Sequence, residues 1–279
     1  MNDPAAPLLP LSQAELDAYR QARTGGDRRR LEWSGFKRFS QSDEDGIIAE
    51  IFRRIGVRRR RFIEFGCETG QENNTRLLLE QGRRGLWIEG VPDYAGAIRW
   101  EFREAIAAGR LRFVEAFVNR RTVNGIFRDA GFTGEIDLLS IDIDSNDHHV
   151  FEAITVVNPR VVCLEHNHTF DPGIDYAMPH DEAYRWDPHG GVAPYGASIS
   201  SMAALAARKG YVLVGCGLYS ANGFYVRADL VRNRFSGPFT PERLFNPLDY
   251  GAILRFPVHD GPLDPPPAGL LGRLRRLWS

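Results

Sequence analysis

From Arg61 to Leu230 short apolar runs alternate with helix-patterned segments, and this alternation narrows the possible folds more than any other feature of the chain. RFIEFG precedes a helical pattern from about Asn74 to Gln81, RGLWIEG one from about Tyr94 to Ala108, and LRFVEAFV one around Val123 to Ala130. IDLLSIDID, a helix from about His148 to Val156, RVVCLEHN, a helix from about Ala197 to Lys209, YVLVGCG and NGFYVRADL complete the series. Such a series predicts an α/β fold, a mostly parallel sheet with helices on both faces. Only LYSA separates the last two runs. That is too short for a right-handed parallel crossover, so the pair is expected as an antiparallel hairpin at one sheet edge.

A chain of 279 residues with 43% hydrophobic content can bury one large core. Its 35 Lys and Arg offset 36 Asp and Glu to a net charge of -1, which argues against a nucleic-acid binder. The arginines are nevertheless clustered, at Arg28–Arg30, at Arg58–Arg61 and at Arg273, Arg275 and Arg276; the first two runs read as solvated faces. Three cysteines without a CxxC pair, and an N-terminus lacking a secretory pattern, point to reduced thiols in the cytoplasm.

Three parts are expected. Residues 1–38 form an arm whose short helix opens on the Ser12/Glu15 capping box, residues 39–235 form the main domain, and residues 236–279 form an extension. The closing GLLGRLRRLWS sets Leu270, Leu271, Leu274, Leu277 and Trp278 against three arginines. That pattern suits weak peripheral docking on an anionic inner membrane face, or packing on the protein itself. The oligomeric state is not legible.

Ligands of open α/β sheets bind beyond the carboxyl ends of the strands, so the polar residues that end each run are the candidates. The first run ends in Glu64, Gly66 and Glu68 with Gly70 beyond, the second in Glu89, the fourth in Asp142 and Asp144, the fifth in Glu165, His166, Asn167 and His168. Glu89 follows the glycine turn by about twenty residues, the spacing at which an acid accepts hydrogen bonds from ribose hydroxyls. Dinucleotide folds use GxGxxG against a pyrophosphate, whereas this turn is ExGxxxG and acidic. A nucleoside cofactor without a phosphate cradle is therefore expected.

The stretch FIEFGCETGQENNTRLLLEQGRRGLWIEG, with DLLSIDIDSNDHHVFEAI, NPRVVCLEHN, SQSDEDGIIAEIF and the closing GASISSMAALAARKGYVLVG and NGFYVR, resembles the FkbM-type S-adenosylmethionine-dependent methyltransferases. The resemblance runs roughly from Phe39 to Leu230. It implies a Rossmann-like class I methyltransferase fold with a seven-stranded sheet whose last strand is antiparallel. It further implies that Glu64, Gly66 and Gly70 wrap the amino-acid end of S-adenosylmethionine, Glu89 its ribose, Ala116 or Phe117 its adenine, and that Asp142 lies near its methionine portion. Gln41 is expected to reach the cofactor, and Thr75 to serve as a helix cap or a cofactor contact. The acceptor implied is a hydroxyl of a sugar or glycan intermediate.

Asp142 and Asp144 lie two apart on one strand end, as do Glu165 and Asn167 on the next, so four oxygen donors are expected to converge. They suit magnesium, or manganese with an added imidazole; the alternative is a metal-free network around substrate hydroxyls. O-Methylation needs a base near the acceptor oxygen, for which His166 and His168 are candidates and Asp144 the alternative. Acids beside the histidines are expected to raise their pKa. The long segment from His168 to Pro194 reads as a substrate lid, where Tyr184, Trp186 and Tyr195 offer faces for a sugar ring. Rival readings are a DxD-type metal-dependent glycosyltransferase on Asp142-Ile143-Asp144, an NAD-dependent oxidoreductase, and a binding module without activity.

Overall fold

The structure, a computed structural model, describes residues 9–184, 195–218, 222–247 and 249–261. Trp186 and the tail carrying Leu270 to Trp278 lie outside the described residues. Ser12 caps the first helix, α1 (Gln13–Thr24), through the expected capping box: its side chain accepts from Glu15 N while the Glu15 carboxylate accepts from Ser12 N. The helix α2 (Glu44–Ile55) follows, with Ile47, Ile48, Ile51 and Phe52 buried along one stripe.

Then come β1 (Arg61–Phe65), α3 (Arg76–Glu80), β2 (Arg84–Glu89), α4 (Pro92–Glu101), α5 (Arg103–Ala107), β3 (Leu111–Glu115), α6 (Val123–Asp129) and β4 (Gly134–Ile141). The order continues with α7 (Asp147–Ala153), β5 (Val157–Glu165), α8 (Ile199–Arg208), β6 (Tyr211–Cys216) and β7 (Asn222–Arg227). Three short helices close the described chain: α9 (Ala228–Val231), α10 (Pro241–Leu244) and α11 (Tyr250–Leu254).

The seven strands form one sheet in the order β3-β2-β1-β4-β5-β7-β6. The first five are parallel neighbours, while β7 runs antiparallel to both β5 and β6. This is the Rossmann-like methyltransferase sheet that the resemblance implies, with the hairpin at one edge. Alternate residues serve opposite faces. Ile63, Phe65, Leu86, Ile88, Leu139, Ile141, Val162 and Leu164 pack towards α6, α7 and α8. Phe62, Trp87, Leu138, Val161 and Cys163 pack towards α2, α3, α4 and α5. Burial on both faces explains why these runs are continuously apolar rather than alternating. Each such side chain contributes about 1.5–3 kcal/mol through burial.

Two helices depart from the sequence expectation. The pattern from Tyr94 to Ala108 is two helices broken at Phe102, which closes one and opens the other at φ -100°, ψ 19°. Its ring stands edge-on to Trp87 with centroids 4.7 Å apart, so core packing overrides helical continuity there. The helix expected from Asn74 begins instead at Arg76, for a reason found in the site below.

The N- and C-terminal segments pack together beside the β6–β7 edge. Leu11 N donates to Arg255 O, Lys37 bridges to Val258, and Leu11, Leu16, Leu218, Ala252 and Phe256 share a small core. No helix among the described residues is long and apolar enough to cross a membrane.

Candidate active site at the carboxyl end of the sheet

The carboxyl ends of β1, β2, β4 and β5, where an open α/β sheet forms its ligand crevice, carry the acids Glu68, Glu89, Asp142, Asp144 and Glu165. The floor there is set by contact between two strand ends: a Cβ on Gly66 would fall 1.4 Å from the Asp142 carbonyl oxygen. Gly66 also has φ +75°, so no other residue fits there without moving the chain. Gly70 (φ +76°) turns the same loop but faces the core, against Phe102 and Trp87, rather than the crevice.

Glu64 takes a different place from the one expected. It is 2% exposed, and its carboxylate accepts from Asn74 N (2.8 Å), Thr75 N (3.0 Å), Asn73 Nδ2 (2.8 Å) and Thr75 Oγ1 (2.5 Å). Thr75 Oγ1 in turn accepts from Trp87 Nε1 at 2.8 Å. Glu64 and Thr75 are thus corrected from cofactor contacts to a buried staple that shapes the loop from Gly66 to Thr75. Burial pushes the Glu64 pKa up to about 7 against the pull of these four donors. Because the Asn74 and Thr75 amides are tied to this carboxylate, α3 starts late. The same contact occupies the amides that a dinucleotide fold would turn towards a pyrophosphate.

Glu89, 6% exposed at the end of β2, accepts from Glu68 N and Val91 N, each at 2.8 Å. Two backbone donors fix its carboxylate and leave lone pairs for further donors. Beside it the Phe117 ring, 56% exposed, lies over Gly90, and Ala116 N donates to Glu89 O at 3.0 Å. An acid and an accessible aromatic face therefore sit side by side after β2 and β3. Gln41 is exposed; its carbonyl accepts from Lys37 Nζ, which also reaches Glu72 of the glycine loop at 3.2 Å. This places Gln41 next to the loop.

Asp142, Asp144 and Glu165 converge, each offering an oxygen within 4.8 Å of the others. All three are half-buried. Asp142 and Glu165 face each other within this group, and their crowding favours the protonated form of each. Desolvation first and mutual repulsion second hold both well above the ordinary carboxylate range, and Asp144 is pushed up to about 6 by burial and by Asp147 and Glu68. No Arg or Lys offsets the repulsion at Glu64, Glu68, Asp142, Asp144 or Glu165 among the described residues. Asp144 and Glu68 both adopt positive φ, +55° and +45°, strain held in place by the surrounding hydrogen bonds. Asp147 supplies part of that hold, accepting from Ile143 N and Ser145 N.

Asn167 does not join the trio. Its Oδ1 accepts from Thr169 N and Oγ1 and its Nδ2 donates to Tyr195 O, so it shapes its own loop and is corrected as a metal ligand. His166 is likewise corrected as the base. It is 1% exposed, packs against Phe245, and neither ring nitrogen has a hydrogen-bond partner among the described residues. As the residue after Glu165 it belongs to the opposite sheet face, the one carrying Val162 and Leu164. Burial holds its pKa down to about 3. His168 is half-buried, and burial lowers its pKa too; the expectation that neighbouring acids raise these values is overturned by desolvation.

One contributor was not singled out in the sequence. Asn222, opposite Glu165 in the β5–β7 ladder, donates to Glu44 Oε1 at 3.3 Å and so ties the N-terminal end of α2 to the crevice rim. Its only sequence signal was its place at the start of the last strand. Within the expected lid, Asp181 and Asn146 exchange hydrogen bonds of 3.1 and 2.8 Å. Tyr184 lies near enough to Asp144 for that carboxylate to raise its phenol pKa, after burial. Residues 181–184 are thereby held beside the acidic trio.

No protein-family model matches the sequence, and no curated protein matches it. Solved structures do. The chain is similar to an O-methyltransferase from Bacillus cereus in complex with SAH, at 17% identity over 56% of this chain and 67% of that one, TM-score 0.37. It is similar to an S-adenosylmethionine-dependent methyltransferase from Clostridium acetobutylicum (10% identity, 64% and 87% covered, TM-score 0.40). A third is magnesium protoporphyrin IX methyltransferase from Synechocystis with bound SAM (16% identity, 77% and 100% covered, TM-score 0.42).

Proposed function

We propose that this chain is an FkbM-type O-methyltransferase that uses S-adenosylmethionine to methylate a hydroxyl of a sugar or glycan intermediate. One observation carries the reading. The carboxylate at the end of β2 is fixed by two backbone amides beside an exposed ring, while the Asn74 and Thr75 amides just before α3 are already bound to Glu64. A ribose acceptor without a phosphate cradle suits a nucleoside sulfonium and disfavours NAD. The acids around it also complement a cation.

In this reading Glu89 accepts from the ribose hydroxyls, Phe117 stacks on the adenine, and the Gly66 turn allows close approach of the methionine portion. S-Adenosylmethionine supplies the electrophilic methyl. His168, which burial keeps neutral, would take the proton that the acceptor hydroxyl gives up on methylation. Tyr184 stacks on the acceptor's ring at the lid.

The convergence of Asp142, Asp144 and Glu165 favours a second component, a magnesium or manganese ion at this trio. Three carboxylates this close hold protons unless a cation replaces them. There the ion would orient an acceptor hydroxyl near His168.

Calorimetry of the purified protein with S-adenosylhomocysteine, with NAD, and with a nucleotide sugar plus manganese tests the proposal. Saturable binding of S-adenosylhomocysteine alone is expected; binding of NAD or the nucleotide sugar in its place would overturn the reading.

A further inference from the structure

The opposite end of the same sheet carries a cleft of about 740 Å³, a volume in the range of small-molecule sites. It opens at the amino ends of β1, β2 and β3 and is lined by Arg61, Arg84, Arg110 and Arg112 with a single acid, Asp129. Register explains the cluster. Arg61 pairs with Arg84 across β1 and β2, and Gly85 pairs with Leu111, so the next step of the ladder sets Arg84 beside Arg110. Arg112 lies two residues further along the same face. Neighbouring strands are about 4.8 Å apart, and like charges opposite one another are destabilising.

The chain's own acceptors account for part of this row. Arg61 donates to Gly131 O and stacks over Phe132, and Arg110 donates to Leu79 O at 3.4 Å. Both contacts are to groups without a full negative charge. Among the described residues, Asp129 forms no ion pair with any of the four, and the exposed guanidinium groups of Arg84 and Arg112 donate to no acceptor of the chain. Burial and the Arg84 charge together depress the Arg61 pKa, so the repulsion is felt inside the cleft.

We propose that this cleft is a binding site for a phosphate-bearing small molecule, held by Arg84 and Arg112 with Arg61 and Arg110 as flanking donors. Guanidinium groups pair with phosphate oxygens in bidentate fashion, and a dianion removes the repulsion along the row. The site is separate from the acidic crevice, so its fate does not depend on the methyltransferase reading.

Isothermal titration of the full chain with inorganic pyrophosphate, at low and moderate salt, is the test. Saturable binding that weakens with salt is expected, with at least about a tenfold loss in the Arg84→Gln/Arg112→Gln double variant and S-adenosylhomocysteine affinity unchanged. The Arg84→Lys/Arg112→Lys variant keeps the charge and is expected to bind within about threefold to tenfold of the parent. Vesicles of phosphatidylglycerol in phosphatidylcholine separate the source of the phosphate: binding competed by pyrophosphate and lost in the glutamine variant assigns a lipid headgroup to the same cleft. Absence of pyrophosphate binding, equal affinity in the glutamine variant, or vesicle or RNA binding that pyrophosphate leaves untouched would each overturn the proposal.

Discussion

At the carboxyl end of the sheet Glu64, Glu68, Glu89, Asp142, Asp144 and Glu165 gather without an ion-pair partner among the described residues, whereas at the amino end Arg61, Arg84, Arg110 and Arg112 gather around one acid. The two ends are built by the same strands. The formal charge of -1 conceals this division, because excess acid and excess base cancel in the sum while remaining apart in space. The ends also differ in how charge is managed. Carboxylates can lower their mutual repulsion by taking up protons, the direction in which Asp142 and Glu165 are both pushed; guanidinium groups cannot. A group of acids can therefore relieve its repulsion with protons, a route that a row of arginines does not have.

Gly66→Ala should break the acidic end most severely. The added methyl meets the Asp142 carbonyl and the residue sits at positive φ, so a stability loss of about 3 kcal/mol or more is expected, read from a urea midpoint. Glu89→Ala should weaken S-adenosylhomocysteine by roughly 10–100-fold, a loss of about 1.4–2.8 kcal/mol, with little effect on the arginine cleft. Unchanged calorimetric affinity would remove Glu89 from the nucleoside site.

A pH series sharpens the comparison further. Asp142, Asp144 and Glu165 all have folded pKa values raised above their unfolded ones, with Asp144 at about 6. The folded chain then binds more protons than the unfolded chain once pH passes the usual carboxylate range near 4. Their contribution is fully present below about pH 4 and is lost as pH rises through the folded values. With a chelator present, the thermal midpoint should therefore decline from pH 4 past pH 6, and added magnesium should restore it at the higher pH; a midpoint indifferent to magnesium would argue against the cation. The smallest effect belongs to the basic end. Arg84→Gln alone should raise the thermal midpoint slightly, by about 0.2–1 kcal/mol in stability, since it relieves like-charge contact across β1 and β2.

Much of this was legible from local pattern. Runs such as RFIEFG and RVVCLEHN carry their burial on both faces in their composition, and the short LYSA connection dictates an antiparallel pair whatever surrounds it. The spacing from the glycine turn to Glu89 likewise put an acid at the neighbouring strand end. What each polar side chain does there was less legible. Glu64 and Glu89 both look like ligand acids in the sequence, yet Glu64 turns inward to bind Asn73, Asn74 and Thr75, and Glu89 is held at the rim by Glu68 and Val91.

The sequence by itself determined the order of strands and helices, the acidic strand ends and the antiparallel hairpin, because these depend on periodicity and connection length. Tertiary structure alone decided the rest. The contact of Gly66 with Asp142, the break at Phe102 against Trp87, the burial of His166 and the alignment of Arg61 with Arg84 all join residues distant in the chain. Partner choice and desolvation are set by which elements meet, and a residue's type does not record the company it will keep.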